Sequence, residues 1–218
     1  ESLQLDVYQP QTDDLKNRPV LVWVHGGGFS GGERDNPRET KWMQNFARKG
    51  YVAISISYRL LRKGTKEGFS CDCPRAEKLR VFKEAAADLM DAVIYVQANA
   101  EKLGIDPQKI MIGGSSAGAE TVLTAAFMRD YFFADQQKYL DLDFKGMISL
   151  AGAVTDVRYI TEDNAIPTVM FHGTDDNLVP YATAPHHYCA PDKTGYLWLD
   201  GSHTITQKLS TLNISHLL

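Results

Sequence analysis

Two adjacent serines, Ser115 and Ser116, lie between glycines in the segment IMIGGSSAGAE at residues 110–120. In the pattern G-x-S-x-G the central residue is Ser116, whereas centring the pattern on Ser115 would put Ala117 where the second glycine is needed. This pattern is typical of a sharp turn from a strand into a helix, where the central hydroxyl projects at the helix N-terminus. A strand pattern before it and a helix pattern after it favour this turn over a glycine-serine phosphate loop. The sequence therefore predicts Ser116 as a nucleophile.

A second loop, HGGGFSGG at residues 25–32, follows the apolar run VLVWV directly. Consecutive glycines leave backbone N–H groups accessible, and the oxyanion formed during acyl transfer needs such donors. We expect the N–H groups of Gly27, Gly28 and Ala117 to form an oxyanion hole. A nucleotide-binding loop is the alternative, but the segment has neither a G-x-G-x-x-G that opens a helix nor a Walker lysine. We expect His25 to brace the loop rather than to act as a base.

The elements around these loops alternate between strands and helices. The apolar runs VLVWV, YVAISIS, KIMIGG, GMISLAG and PTVMFHG read as strands of a buried sheet, and LQLDVYQP alternates like an edge strand. Helical patterns include Trp42, Met43 and Phe46, a long segment over residues 77–103, and a segment that starts near Ala117. The order predicts one α/β domain over residues 1–218, with a mostly parallel sheet covered by helices on both faces. Such sheets carry their sites at the carboxyl ends of the strands, which is where both loops lie.

The composition narrows the possible classes of protein. The chain has 218 residues, 44% of them hydrophobic, and a net charge of −4, so a basic face for nucleic acid is not expected. No apolar run approaches the roughly 20 residues that a membrane span needs.

The three cysteines permit at most one internal disulfide. Cys71 and Cys73 are too close to bridge each other comfortably, so a bond would join one of them to Cys189; three unpaired thiols are the alternative. Their spacing with the nearby histidines matches no common zinc pattern, and we expect no metal.

Five segments in this order, HGGGF, SISYRL, AAADLMDAVIYVQANAEKLGIDPQKI, GGSSAG and HGTDDNLVP, resemble the α/β-hydrolase superfamily. More closely, they are similar to carboxylesterases of the hormone-sensitive-lipase and bacterial feruloyl or acetyl-xylan esterase type. The resemblance covers most of the chain, from about residue 3 to residue 180. The sequence departs from the commonest pattern at Ser115, where Asp or Glu often precedes the nucleophile, and at Ala119 and Glu120 after the motif. The cysteine-bearing loop at residues 60–76 is also unusual.

The resemblance implies the acid of a catalytic triad in the segment HGTDDNLVP, residues 172–180. The family places it at the fifth residue of this motif, which is Asp176 here, with Asp175 as the second candidate. A carboxylate at a strand end can orient a histidine and stabilise its imidazolium. An Asp-rich turn is the alternative, since Asp and Asn are favoured in turns. We expect His172 to support the turn.

The histidine of the triad should follow Asp176 in the chain. The candidates are His186, His187, His203 and His216. The first two are flanked by prolines, and we expect them in the wall of a pocket or facing solvent. His216 falls on the apolar stripe of a terminal segment, where a packed helix residue is the simpler interpretation.

We therefore predict His203 as the base. The segment GYLWL reads as the last strand, His203 lies on the loop after it, and an uninterrupted helical segment continues to Leu218. The alternative is that residues 214–218 form a final strand beside PTVMF. In that case the triad histidine would lie beyond Leu218.

These residues together predict a serine hydrolase that acts on carboxylic esters through an acyl-enzyme, with no metal or organic cofactor. We expect a small-molecule ester substrate with a short acyl group or a carbohydrate-linked ester, and no nucleic acid or membrane partner. Residues 58–75 and 181–195 should wall the pocket, where Phe69, Tyr181 and Tyr188 could stack on a ring or simply pack. A peptidase of the same fold is less favoured because the length leaves no room for an additional domain. A catalytically incomplete hydrolase fold used for binding is the alternative from another class.

Overall fold

A computed structural model describes residues 2–11, 13 and 15–218. Strands and helices alternate through most of this part of the chain. The strands are β1 (Leu5–Tyr8), β2 (Arg18–Val24), β3 (Val52–Ile56), β4 (Ile105–Ser115), β5 (Gly146–Leu150), β6 (Ala153–Val154), β7 (Thr168–Phe171), β8 (Thr183–Pro185), β9 (Trp198–Gly201) and β10 (His216–Leu217). The helices are α1 (Pro37–Arg48), α2 (Arg75–Ala98), α3 (Ala100–Leu103), α4 (Ala117–Phe127), α5 (Arg129–Phe132), α6 (Gln137–Leu140) and α7 (Ser202–Thr211). Single 3₁₀ turns occur at Val157–Tyr159 and His186–Tyr188.

The main sheet has seven strands within the described residues, in the order β1-β3-β2-β4-β5-β7-β10. Only β1 runs antiparallel to its neighbour; the other pairs are parallel. The carboxyl ends of the parallel strands therefore meet at one edge of the sheet. The predicted fold class, a mostly parallel sheet with helices, is confirmed.

Both faces of the sheet are buried, as the apolar runs predict. In β2 the alternation sends Val20, Val22 and Val24 to the face covered by α2 and α4, and Leu21 and Trp23 to the face covered by α1. A strand buried on both sides has no polar face, which is why VLVWV reads as a continuous apolar run.

The predicted long helix is interrupted near its end. α2 stops at Ala98, and a separate short turn, α3, follows before Gly104 adopts a left-handed conformation with φ of +66°. The interruption lies at Asn99, whose side chain donates to Tyr95 O and so competes with the helical backbone pattern.

The prediction for the end of the chain is wrong. Residues of GYLWL do not join the main sheet: β9 pairs antiparallel with β6 and β8 in a separate three-stranded sheet. The helix that follows ends at Thr211 instead of continuing to Leu218. Beyond it, β10 pairs in parallel with β7, with His216 opposite Thr168 and Leu217 opposite Val169. Ile214 and Leu212 pack against the core, and the burial of these side chains stabilises β10 at the edge of the main sheet.

Candidate active site

Ser116 occupies a strained turn between β4 and α4. Its φ of +51° and ψ of −120° lie outside the regions that a serine ordinarily adopts. The turn is tight enough that a Cβ on Gly114 would overlap the backbone of Gly118, and a Cβ on Gly118 would overlap Val24 O. The two glycines of G-x-S-x-G are thus required by close packing of the backbone, and they leave Ser116 at the first turn of a helix.

Backbone hydrogen bonds fix this turn on both sides. The Ser116 N–H donates to Leu150 O at the end of β5 (2.7 Å), and the Glu120 N–H donates to Ser116 O (2.9 Å). The Ser116 hydroxyl makes no hydrogen bond to any other described residue, so it is free to meet a base or a ligand.

The glycine loop lies directly against the turn at Ser116. A Cβ on Gly26 would come within 3.4 Å of Ser116 Cβ and 2.9 Å of Ser115 O, so only glycine fits this approach. Gly27 (φ +127°) and Gly28 (φ +59°) adopt conformations that disfavour side chains, and Gly27 O closes the turn by accepting from the Ser30 and Gly31 N–H groups.

The backbone donors predicted for the oxyanion hole remain available. Within the described residues, the N–H groups of Gly27, Gly28 and Ala117 have no hydrogen-bond acceptor. Ala117 is the first residue of α4, where N–H groups lack helical partners and the helix dipole favours negative charge. These are the properties that an oxyanion site requires.

His25 is part of the frame of the loop. Its Nδ1 lies 2.7 Å from Gly26 O, and its carbonyl accepts a hydrogen bond from the Tyr58 hydroxyl (3.0 Å). Burial lowers the pKa of His25, which favours the neutral ring. The contacts are those of a bracing residue, as the sequence predicts.

Asp176 is held by the turn that follows β7. Its Oδ1 accepts from the N–H groups of Leu178 (2.9 Å) and Val179 (3.0 Å), and its side chain remains 23% exposed. By contrast, Asp175 is exposed and its carboxylate accepts no hydrogen bond from the described residues. A fixed carboxylate is better suited to orient an imidazole, so the contacts favour Asp176 over Asp175.

His172 supports this turn. Its Nε2 lies 3.1 Å from Val179 O and its Nδ1 lies 2.9 Å from Ser202 Oγ. Donation from Nε2 to the carbonyl leaves Nδ1 to accept from the hydroxyl. The ring is thus fully engaged beside Asp176, whose Oδ2 is 3.6 Å from His172 Nε2.

Ser116 and the Asp176 turn share one edge of the sheet. Ser115 is paired with Leu150 across β4 and β5, and Leu150 is paired with Phe171 across β5 and β7. Two strand spacings, or about 10 Å, therefore separate the points where the two segments leave the sheet. This separation leaves room for an imidazole between the two groups.

His203 is not brought into contact with either group. Its backbone N–H donates to Tyr181 O (2.9 Å), and its ring stacks on the Tyr181 ring with centroids 5.4 Å apart. Its ring makes no hydrogen bond to Ser116 or Asp176 in the described part of the chain. The reason is topological: β9, which precedes His203, belongs to the small sheet and does not end beside β4.

Of the other histidines, His216 differs from its predicted place. It lies on β10, with Nε2 3.1 Å from Ser210 Oγ and Nδ1 2.7 Å from Ile214 O, and is not part of a helix stripe. His186, predicted in a pocket wall or facing solvent, is buried, with Nε2 3.2 Å from Glu120 Oε1. His187 adopts φ of +56°, and its N–H donates to Leu178 O (2.8 Å) in the Asp176 turn.

One disulfide joins two distant loops: Cys71 bonds Cys189, and Cys73 is free and buried. This resolves the choice that the sequence left open. Phe69, in the same loop, packs on Phe29 at a centroid distance of 4.6 Å, so it serves the core rather than a ligand. Tyr188 is exposed, as a wall residue would be.

Sequence reasoning missed the buried polar group formed by Lys78, Glu120 and His186. A weak signal was present, because Glu120 is a charged residue in the otherwise small and apolar helix start AGAETVLTAAF. Nothing in the spacing of these residues relates Glu120 to His186, since they come together only through packing.

The described residues contain no cluster of three or more His, Cys, Asp or Glu side chains placed to hold a metal ion. In the same part of the chain, none of the helices has the length and apolar character needed to cross a bilayer.

The sheet order, the strained serine at the start of α4 and the acidic turn after β7 define an α/β-hydrolase. Esterase 2 of Thermogutta terrifontis, in a structure phosphorylated by paraoxon, superimposes with a TM-score of 0.69 at 20% identity, covering 100% of this chain and 76% of that chain. The same enzyme in its native form gives a TM-score of 0.68.

The chain belongs to the BD-FAE family, whose sequence model matches residues 5–145. Chlorogenic acid esterase of Aspergillus niger is 29% identical over 172 residues, which are 70% of this chain and 32% of that protein. Gut esterase 1 of Caenorhabditis briggsae is 34% identical over 122 residues, which are 56% of this chain and 20% of that protein. The resemblance to carboxylesterases is confirmed, and the chain spans about a fifth to a third of the length of these curated relatives.

Proposed function

We propose that this protein hydrolyses carboxylic esters through an acyl-enzyme on Ser116. The observation that carries the proposal is the juxtaposition of a strained serine at a helix start with a glycine loop in which the N–H groups of Gly27 and Gly28 are unpaired. An acyl carbonyl placed on Ser116 would meet these donors as its oxygen becomes negative. The names of the relatives, which include a chlorogenic acid esterase, support the same class of reaction.

In the proposed mechanism, a histidine takes the proton of Ser116 as Oγ attacks the acyl carbon. The N–H groups of Gly27, Gly28 and Ala117 hold the oxyanion, and each such donor contributes about 3 kcal/mol to the transition state. The same histidine then protonates the leaving alcohol, and water repeats the sequence to release the acid. Asp176 orients the histidine through its second ring nitrogen.

His203 is the histidine that we propose as the base, and it would have to leave its stack on Tyr181 to reach Ser116. His186, His187 and His216 are the other histidines after Asp176, and none of their rings makes a hydrogen bond to Ser116 within the described residues.

Replacing His203 by alanine tests this assignment. If His203 is the base, ester turnover should fall by about 10³-fold or more, and added imidazole should restore part of it. An unchanged rate in active protein would contradict His203 and assign the base to another histidine.

The reaction itself is tested with p-nitrophenyl acetate and a fluorophosphonate probe. We expect turnover and covalent labelling to be lost in Ser116→Ala and kept in Ser115→Ala, the matched neighbouring serine. No turnover and no labelling of the natural protein would overturn the proposal and favour a binding role for the fold.

For the substrate we propose esters with short acyl groups or esters linked to carbohydrate. Support for a short acyl group comes from structures of Thermogutta terrifontis esterase 2 with propionate and with butyrate bound. Support for a small-molecule ester comes from the names of the relatives, which include a fumonisin B1 esterase and a chlorogenic acid esterase.

A panel of esters tests this preference. We expect acetate and butyrate esters to be hydrolysed faster than octanoate esters, and the panel should include acetylated and feruloylated sugars. Faster turnover of octanoate would contradict the acyl preference.

A further inference from the structure

A buried polar cluster lies directly behind Ser116. Glu120 is on the first turn of α4, and its own N–H donates to Ser116 O. The side chain points into the protein, where Glu120 is 2% exposed and His186 is 1% exposed. Glu120 Oε1 lies 3.2 Å from His186 Nε2, a close polar contact, and neither atom makes a hydrogen bond to any described residue. A buried carboxyl without other partners depends on this contact.

His186 connects Glu120 to the segment that we call the wall segment, residues 181–195. Its ring is enclosed by Phe69 and Phe82 at centroid distances of 5.4 and 6.2 Å, and its backbone N–H donates to Leu197 O (2.8 Å). The next residue, His187, donates its N–H to Leu178 O, two residues after Asp176. The wall segment therefore contacts both α4, which begins after Ser116, and the turn that holds Asp176.

Lys78 anchors the far end of the same segment. It is fully buried in α2, and its Nζ donates to Gly195 O (2.9 Å) while lying 4.0 Å from Cys189 Sγ. The disulfide from Cys189 to Cys71 holds the middle of the segment, three residues after His186, to the loop before α2. The wall segment is therefore fixed covalently at Cys189, by Lys78 at Gly195, and by the contact of Glu120 with His186.

Charged and titratable groups face Glu120 from every side. They are Lys78 on α2, His186 and His187 on the wall segment, His172 and Asp176 on the acid turn, and Tyr58 after β3. Burial raises the pKa of Glu120 to about 8, and burial lowers the pKa of His186 to about 3. At neutral pH a protonated carboxyl thus faces a neutral imidazole, and one can donate a hydrogen bond to the other without an uncompensated charge.

We propose that Glu120 is a positioning residue that holds the wall segment, through His186, against the helix that begins at Ser116. The catalytic consequence rests on the proposed function. The contact between Glu120 and His186 would position the wall segment and the turn that holds Asp176 relative to Ser116. Its structural consequence can be measured separately.

The first experiment compares amide hydrogen exchange in the wall segment. Glu120→Leu should speed exchange of residues 181–195 by tenfold or more, whereas Glu120→Gln, which keeps a neutral hydrogen-bonding side chain, should change it by less than threefold. Glu39→Gln is the matched control, since Glu39 is another buried carboxyl whose partner, Trp23, lies on the opposite face of the sheet. Unchanged exchange in Glu120→Leu would overturn the proposal, whether or not the protein hydrolyses esters.

The second experiment uses ester hydrolysis in the natural protein and the same variants. Glu120→Leu should raise KM or lower kcat/KM at least tenfold. The double variant with His186→Phe should lose less kcat/KM than the product of the two single fold losses. The fall of kcat/KM above about pH 8 should be present in the natural protein and absent in Glu120→Gln. Identical pH profiles and multiplicative effects would contradict the coupling, while an inactive natural protein would contradict the proposed function alone.

Discussion

Glu120→Gln is predicted to change how the stability of this protein depends on pH. Burial raises the pKa of Glu120 to about 8 from an ordinary 4.5, so between these values the folded state keeps a proton that the unfolded state has lost. Stability therefore falls as the pH rises through this window. Burial lowers the pKa of His186 to about 3 and of His187 to about 4 from 6.5, and these two groups act in the opposite direction below pH 6.5.

Above pH 6.5 the two histidines are neutral in the folded state and lose their remaining protons only in the unfolded state. Glu120→Gln shares this contribution, so the difference between the two proteins reports Glu120. One proton changes the free energy of unfolding by about 1.4 kcal/mol per pH unit. From pH 6.5 to pH 8 the natural protein should therefore lose about 2 kcal/mol through Glu120. For a chain of this length, that loss lowers Tm by about 4–8 °C.

The assay is urea unfolding at pH 6.5 and at pH 8, with the natural protein and Glu120→Gln measured side by side. The pH dependence that the two proteins share, including that of the buried Glu39, cancels in the difference. Between pH 6.5 and pH 8 the free energy of unfolding of the variant should rise by about 2 kcal/mol relative to that of the natural protein. Equal changes in both proteins would show that Glu120 is ionised alike in the folded and unfolded states, and would refute the reasoning.

Four further substitutions test the site and the disulfide. Ser116→Ala should abolish both ester turnover and labelling by a fluorophosphonate, whereas residual labelling would point to another nucleophile. Asp176→Asn should lower kcat by about 10³- to 10⁴-fold with little change in fold, as judged by circular dichroism. Gly27→Ala should lower kcat at least 10²-fold, because its Cβ would overlap Gly31 O and displace the loop. Cys71→Ser should lower the free energy of unfolding by up to about 5 kcal/mol, since the disulfide closes a loop with a sequence separation of 118; an unchanged urea midpoint would contradict this.

Much of the fold could be predicted because its signals are local. An apolar run such as VLVWV needs burial on both faces, and the glycines around Ser116 and at Gly27 are needed because the backbone approaches itself closely there. These requirements are written in a few consecutive residues. They do not depend on which distant segment supplies the partner.

The end of the chain shows where local signals stop. GYLWL reads correctly as including a strand, but a strand pattern does not say which sheet it joins. Its last residues pair with β6 and β8, and this choice carries His203 away from Ser116. The short β10 has little pattern of its own and becomes a strand because β7 offers it an open edge.

By itself, the sequence determined the alternation of elements, the strained turn at Ser116 and the glycine loop beside it, because each follows from steric limits within a few residues. Tertiary structure alone decided that Cys71 rather than Cys73 bonds Cys189, and that Glu120 meets His186. These contacts join residues 66 or more positions apart in the chain, as Glu120 and His186 are. These contacts are favoured by the free energy of burying many side chains together, and the type of a single residue does not predict its partner.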